Sequence, residues 1–174
     1  MDFSTLAEIK EEKSIQLTSF EAATRQKTVT IEPGTSREIT SLPGCGMVTR
    51  LWVTFPGWFW RHWDPEAEND ASVLRLTLLK IYFDGEEKPS VMAPLGDFFG
   101  IGHCEYRHYT AKCLGMSSGG FYSYFPMPFQ NGIRVEVVNL HPSIRIDLFY
   151  NINVTLLDRL PQGMGRFHAA FHYG

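Results

Sequence analysis

Apolar and polar residues alternate with period two along most of this chain, the pattern of strands buried on one face. Ile15, Leu17 and Ser19 alternate with Gln16, Thr18 and Phe20, and Val29 and Ile31 with Thr28, Thr30 and Glu32. Pro33-Gly34 is a turn, and Arg37-Glu38-Ile39 opens another short strand. Pro43-Gly44-Cys45-Gly46 breaks the chain again before Met47 to Phe55, a run rich in β-branched and aromatic residues. Ser72 to Phe83 is long and mostly apolar, which predicts a central, well-buried strand. In residues 132–140, Ile133, Val135 and Val137 face one way and Arg134 and Glu136 the other. Residues 143–157 repeat this with Ile144, Ile146 and Leu148 against Arg145 and Asp147, after a His141-Pro142 turn. Arg166 to Tyr173 reads as a closing strand.

The first residues differ. Thr5 and Glu8 form a capping-box pattern, and Leu6 and Ile9 would share a narrow apolar face, so residues 4–12 are predicted to be a short helix. The chain then divides into a helical segment at 1–13 and one β domain at 14–174. About eight to ten strands with short turns predict an all-β fold, a single jelly-roll β-sandwich, with a closed barrel as the alternative.

One stretch stands out, residues 81–129. An apolar run ends in Asp84-Gly85, a tight-turn pair because glycine accepts positive φ without steric cost. A segment dense in glycine, proline and aromatics follows, ending at Tyr124-Phe125-Pro126-Met127-Pro128-Phe129. A long aromatic loop must be buried, be a site, or be an interface.

Composition narrows the functional classes. A chain of 174 residues that is 44% hydrophobic suits one domain. A net charge of −3 without a run of like charge offers no basic stripe to nucleic acid. No apolar stretch is long enough to span a bilayer as a helix. Met1-Asp2-Phe3-Ser4 lacks the basic-then-apolar layout of a signal peptide, so a cytoplasmic location is expected, with secretion left open. Cys45, Cys104 and Cys113 are an odd set without CxxC and read as buried or reduced thiols. Asn153-Val154-Thr155 matches a glycosylation sequon but falls inside an expected strand.

Candidate chemistry is sparse. Trp58, Trp60 and Trp63 could stack on sugar rings, or anchor a subunit contact as tryptophan and tyrosine often do. Trp52, Phe98, Phe99, His103, Tyr124 and Phe129 join them as ligand-binding or interface candidates. Asp84, Glu86, Glu87, Asp97 and Glu105 cluster along the organising stretch, and a glycosidase needs two such carboxyls, about 5 Å apart for retention or wider for inversion. Glu86 and Glu87 follow a turn, where solvated acids are ordinary. Asp97, ahead of Phe98-Phe99-Gly100, is expected to pin the loop by accepting backbone N–H bonds. Asp97 and Glu105 are the catalytic candidates, without either being assigned the role. His168 and His172 would lie about 13 Å apart on a strand, too far to share a metal, and His103, Cys104 and His108 make no compelling set. With no GxSxG, P-loop or GxGxxG, neither metal nor cofactor is expected.

Leu42-Pro43-Gly44-Cys45-Gly46 leading to Thr49-Arg50-Leu51-Trp52-Val53-Thr54 resembles a "GPG-x-I-x-x-I-W-x-T" segment. Tyr82-Phe83-Asp84-Gly85, Pro89-Ser90-Val91, Pro94-Leu95-Gly96-Asp97-Phe98-Phe99-Gly100, Tyr124 to Phe129 and Phe167-His168-Ala169 follow in matching order. From about Ser14 to Tyr173 the chain is thus similar to domain-of-unknown-function family 2961, classed as glycoside hydrolase family 172. The resemblance implies a jelly roll assembled into trimers or hexamers. It also implies relatives with two jelly rolls per chain that act on fructofuranosides and arabinofuranosides. Their two glutamates lie in motifs like "W-G-E-G-D" and "G-T-G-x-E-D-Y-F" beyond the first jelly roll. Nothing between Met1 and Gly174 matches those motifs, so no catalytic residue carries over. The family's "S-S-Y-D-R-T-G-G-N" is also replaced by Thr18-Ser19-Phe20-Glu21-Ala22-Ala23-Thr24-Arg25-Gln26.

Two readings follow. One is a stand-alone jelly roll forming a homo-oligomeric ring, trimer or hexamer, or a shell like the capsid proteins the family resembles, with a structural or carbohydrate-binding role. The other is a furanoside glycosidase using interface carboxylates or a missing domain.

Overall fold

The computed structural model describes residues 9, 11–55, 70–105 and 107–172, and its strands form two sheets packed face to face in a jelly-roll sandwich. One sheet has eight strands. Its main path runs β1 (Lys13–Thr18), β12 (Ile146–Leu156), β4 (Gly46–Thr54), β9 (Gly120–Ser123), β8 (Leu114–Ser117) and β7 (Tyr109–Thr110). Beside that path, β2 (Val29–Ile31) pairs with β12 and β10 (Met127–Phe129) with β4. The other sheet has five strands: β13 (Ala169–Ala170), β6 (Val91–Pro94), β5 (Thr77–Phe83), β11 (Ile133–Asn139) and β3 (Ser36–Leu42). Two single-turn helices, α1 (Val73–Leu76) and α2 (Leu95–Phe98), sit before β5 and after β6.

The alternation drives this arrangement. Along β11 and most of β12 every second residue is buried, so each strand gives one face to the core and the other to the outside. Five phenylalanines, Phe55, Phe83, Phe99, Phe121 and Phe129, are fully buried between the sheets. Phe99 stacks on Phe121 with centroids 5.4 Å apart and meets Phe98 edge-on at 4.9 Å. Such offset and edge contacts add to the burial of about 1.5–3 kcal/mol per side chain.

Three expectations change, and a fourth falls mostly outside the described residues. The Ser72–Phe83 strand begins only at Thr77, because Asp70 Oδ1 accepts the Ser72 amide and the backbone turns into α1. The closing strand over 166–173 shrinks to Ala169–Ala170, which pairs in parallel with β6. The aromatic loop is interrupted by four short strands, β7, β8, β9 and β10, which extend the eight-stranded sheet. The predicted helix over 4–12 lies outside the described residues except for Ile9, Glu11 and Glu12. Those three are not helical, and Ile9 is exposed.

Asp84-Gly85 does form the tight turn. Both residues have positive φ, 57° and 80°, and the Glu86 amide donates to the Phe83 carbonyl at 3.0 Å. Ser118-Gly119 repeats the geometry, with φ of 52° and 78°, between β8 and β9.

Candidate functional site

Two of the acids along the organising stretch, Asp84 and Asp97, bear on the ends of β5. Asp84, just past its C-terminal end, accepts the amides of Gln130 at 2.6 Å and Asn131 at 2.7 Å through Oδ1. Its Oδ2 lies 2.5 Å from Arg166 Nε. Burial alone would raise the Asp84 pKa, but the Asn131 amide, the Arg166 guanidinium and the Gln130 amide outweigh it and hold the carboxyl below its ordinary value. At the other end, Asp97 meets Arg75 of α1, with Nε 3.0 Å from Oδ2. Arg75 also donates to the Gly102 carbonyl and lies over the Phe171 ring, 5.2 Å from its centroid. Among the described residues the partner shown for the Asp97 carboxyl is this guanidinium, whereas its position before Phe98-Phe99-Gly100 predicts backbone amides.

Asp97 and Phe98 border a shallow cavity of about 230 Å³, walled by Phe125, Phe167 and Phe171. Phe167 comes from the C-terminal strap that Arg166 anchors, and its ring lies 5.2 Å from Phe125. The other catalytic candidate, Glu105, is exposed and bonded to Arg107 at 2.6 Å. Glu86 and Glu87 are exposed beside a groove that Tyr82 and Arg134 also line.

The ligand or interface candidates separate by depth. Phe99 and Phe129 are fully buried and fill the sandwich, and Phe98, nearly buried, borders the cavity beside Asp97. His103 is exposed, and Tyr124 is half exposed. Trp52 points to the outer face of the eight-stranded sheet, opposite Tyr122 on β9 and Asn151 on β12. Trp58, Trp60 and Trp63 lie outside the described residues. Among the described residues no cluster of three or more histidine, cysteine or acidic side chains could hold a metal, and all three cysteines are free.

Two clusters escape a sequence reading. The outer face of the five-stranded sheet carries Tyr82, Lys80, Arg134 and Glu136. Arg134 stacks 3.6 Å above the Tyr82 ring, and the Tyr82 hydroxyl donates to Glu136 at 3.0 Å. Burial alone would raise the Glu136 pKa, but Ser36, Tyr82, Lys80 and Arg134 together lower it. The second cluster is buried His141. Its Nδ1 accepts the amides of Ser143 and Ile144, which leaves the proton on Nε2, 3.2 Å from Asp70 Oδ2. Both ring nitrogens are engaged in holding loops, so this dyad is structural.

A family model described as GH172 domain-like matches residues 21–145. No curated protein matches the chain. Among solved structures, the chain is similar to the infectious bursal disease virus VP2 subviral particle, with 8% identity and a TM-score of 0.42. The match covers 85% of this chain and 33% of that one, so the chain spans about a third of that protein's length.

Proposed function

The chain belongs to the GH172 domain-like family, and on that premise we propose that it is a single jelly-roll building block. In this reading it self-assembles into a ring of three or six copies, or a shell, with a structural or carbohydrate-binding role. Its partners are further copies of itself and a carbohydrate. The observation that carries the proposal is the state of its two catalytic candidates. Asp97 is paired with Arg75, and Glu105 with Arg107. A glycosidase needs two carboxyls facing each other across the scissile bond, one of them kept protonated. Each candidate instead faces a guanidinium from its own neighbourhood, and the two are not paired with each other. A closed ring also gives each jelly roll a repeated heterologous contact, which a single-domain protein can satisfy with identical copies.

A second reading, a furanoside glycosidase with its site at a subunit boundary or completed by another domain, is favoured by one feature. Asp97 sits at the rim of an aromatic cavity, where a sugar could lie against a ring. Two measurements separate the readings. Mass photometry at micromolar concentration is expected to show a ring or larger particle, and a clean monomer would overturn the assembly proposal. A screen of aryl furanosides is expected to stay silent, whereas turnover lost in Asp97→Asn or Glu105→Gln would establish the glycosidase.

A further inference from the structure

We propose that the outer face of the eight-stranded sheet around Trp52, Tyr122 and Tyr124 is a stacking platform for a neutral polysaccharide of β-linked pyranoses, which rests on the carbohydrate-binding part of the function proposed above. The argument starts from two glycines. A Cβ at Gly120 would sit 2.6 Å from Trp52 Nε1, so the indole of β4 lies across the backbone of β9. A Cβ at Gly115 would run into the Tyr122 ring, so that phenol lies across β8. Trp52 and Tyr122 are directly paired across the strands, and both rings lean the same way. A ring that stands up from a sheet offers an edge, whereas one laid flat over a glycine offers a face. Tyr124 is 49% exposed and lies 5.5 Å from Tyr122 at 55°, a wall beside the floor.

The charge on this face fits the same ligand. Among the described residues within two positions of these rings, along and across the strands, the ionised side chains are Arg50, two residues before Trp52, and Lys112, next to the Cys113 whose carbonyl accepts the Tyr124 amide. Carboxamides line the side toward β1: Asn151 opposite Trp52, and Asn153, which accepts from Gln16 Nε2 at 3.1 Å. The outer face of the five-stranded sheet, by contrast, carries Lys80, Arg134 and Glu136 in mutual ion pairs. An uncharged aromatic floor flanked by amides complements a polyol, since the negative ring face attracts the positive C–H groups of a sugar. Pyranoses with equatorial hydroxyls present such flat C–H faces, and puckered furanoses do not. An acidic polymer would call for a denser cluster of basic side chains than Arg50 and Lys112 supply.

The test is affinity electrophoresis of the full chain in native gels containing hydroxyethylcellulose, with levan and polygalacturonate as the other arms. Retardation is expected in hydroxyethylcellulose alone, and Trp52→Ala and Tyr122→Ala should each weaken it about tenfold. Met92→Ala, on the opposite sheet, should leave it unchanged. Thermal melts check that the variants fold, and if Trp52→Ala does not, Tyr122→Ala carries the test. No retardation of the unmodified protein by hydroxyethylcellulose, equal retardation by levan, or unchanged retardation of the folded variants would each overturn the platform. So would a loss of particle size in Trp52→Ala with retardation intact, which would make this face a contact between copies. A ring that forms without binding the polymer sinks the platform alone; a monomer that binds it sinks the assembly proposal alone.

Discussion

Replacing Asp84 should be among the most damaging single changes available outside the core, and its cost can be divided by cause. The carboxylate accepts two backbone amides and one guanidinium, all within 2.7 Å. Charge-assisted hydrogen bonds contribute about 1.5–3 kcal/mol each, though bonds to one group are not additive. The Asp84 and Arg166 side chains are 20% and 23% exposed, so water compensates part of the loss and the lower end applies. Asp84 also sits at φ 57°, where alanine pays about 1–2 kcal/mol and aspartate, asparagine or glycine much less. Asp84→Ala should therefore cost about 3–5 kcal/mol, Asp84→Gly about 2–3, and Asp84→Asn, which keeps the amide acceptor but not the charge, about 1–2. Urea unfolding followed by tryptophan fluorescence measures each, with unchanged m-values expected. A double-mutant cycle with Arg166→Ala should show coupling of about 1–2 kcal/mol. The pH dependence has a fixed sign. The folded pKa lies below the ordinary value, so this stability is fully present above about pH 4 and is lost as pH falls through the folded pKa. The gap between the native protein and Asp84→Asn should close over that range. If Asp84→Gly is as stable as the native protein, the backbone conformation explains everything and the staple is worth nothing.

Two further changes test the less visible clusters. Asn139 is fully buried, donates to the carbonyls of Ile31 and Ile144, and accepts the His141 amide. Asn139→Ala strands all three groups and should cost about 3 kcal/mol or more in a thermal melt, and a loss below about 1 would show that water replaces the side chain. Tyr82→Phe removes a hydroxyl bonded to Glu136, so the Glu136 pKa should rise toward the ordinary glutamate value in a carboxyl NMR titration, and an unmoved or lower value would contradict the network.

Period-two patterning was enough to place β11 and β12, because each strand has one wet face and one dry one. It failed where a strand was too short or too rich in glycine to alternate. Leu114–Ser117 and Gly120–Ser123 are four residues each and half glycine or serine, and the Ser118-Gly119 turn between them is hidden among neighbouring serines and glycines. It failed again at Ser72, where a local bond to Asp70 overrode an apolar run. The candidate site was harder to read. Asp84 looked like one acid among five, since its partners lie 46 to 82 positions away. Trp52 was a candidate on residue type alone. Its flat pose depends on which glycine the register sets beside it, and register is a property of the folded sheet.

The two staples also bear on what the acids can do. Asp84 fixes the exit of β5, and Asp97 fixes α1, which leads into it. Releasing Asp97 for proton transfer would free Arg75 at the same moment, and Arg75 holds the Gly102 carbonyl and lies over Phe171 of the strap. A catalytic cycle at Asp97 would therefore loosen α1, the loop after α2 and the C-terminal strap together. An active site normally avoids that coupling by keeping its acids on rigid supports. The ion pair thus supports the scaffold role proposed for Asp97, and the platform proposed around Trp52 makes no demand on that pair.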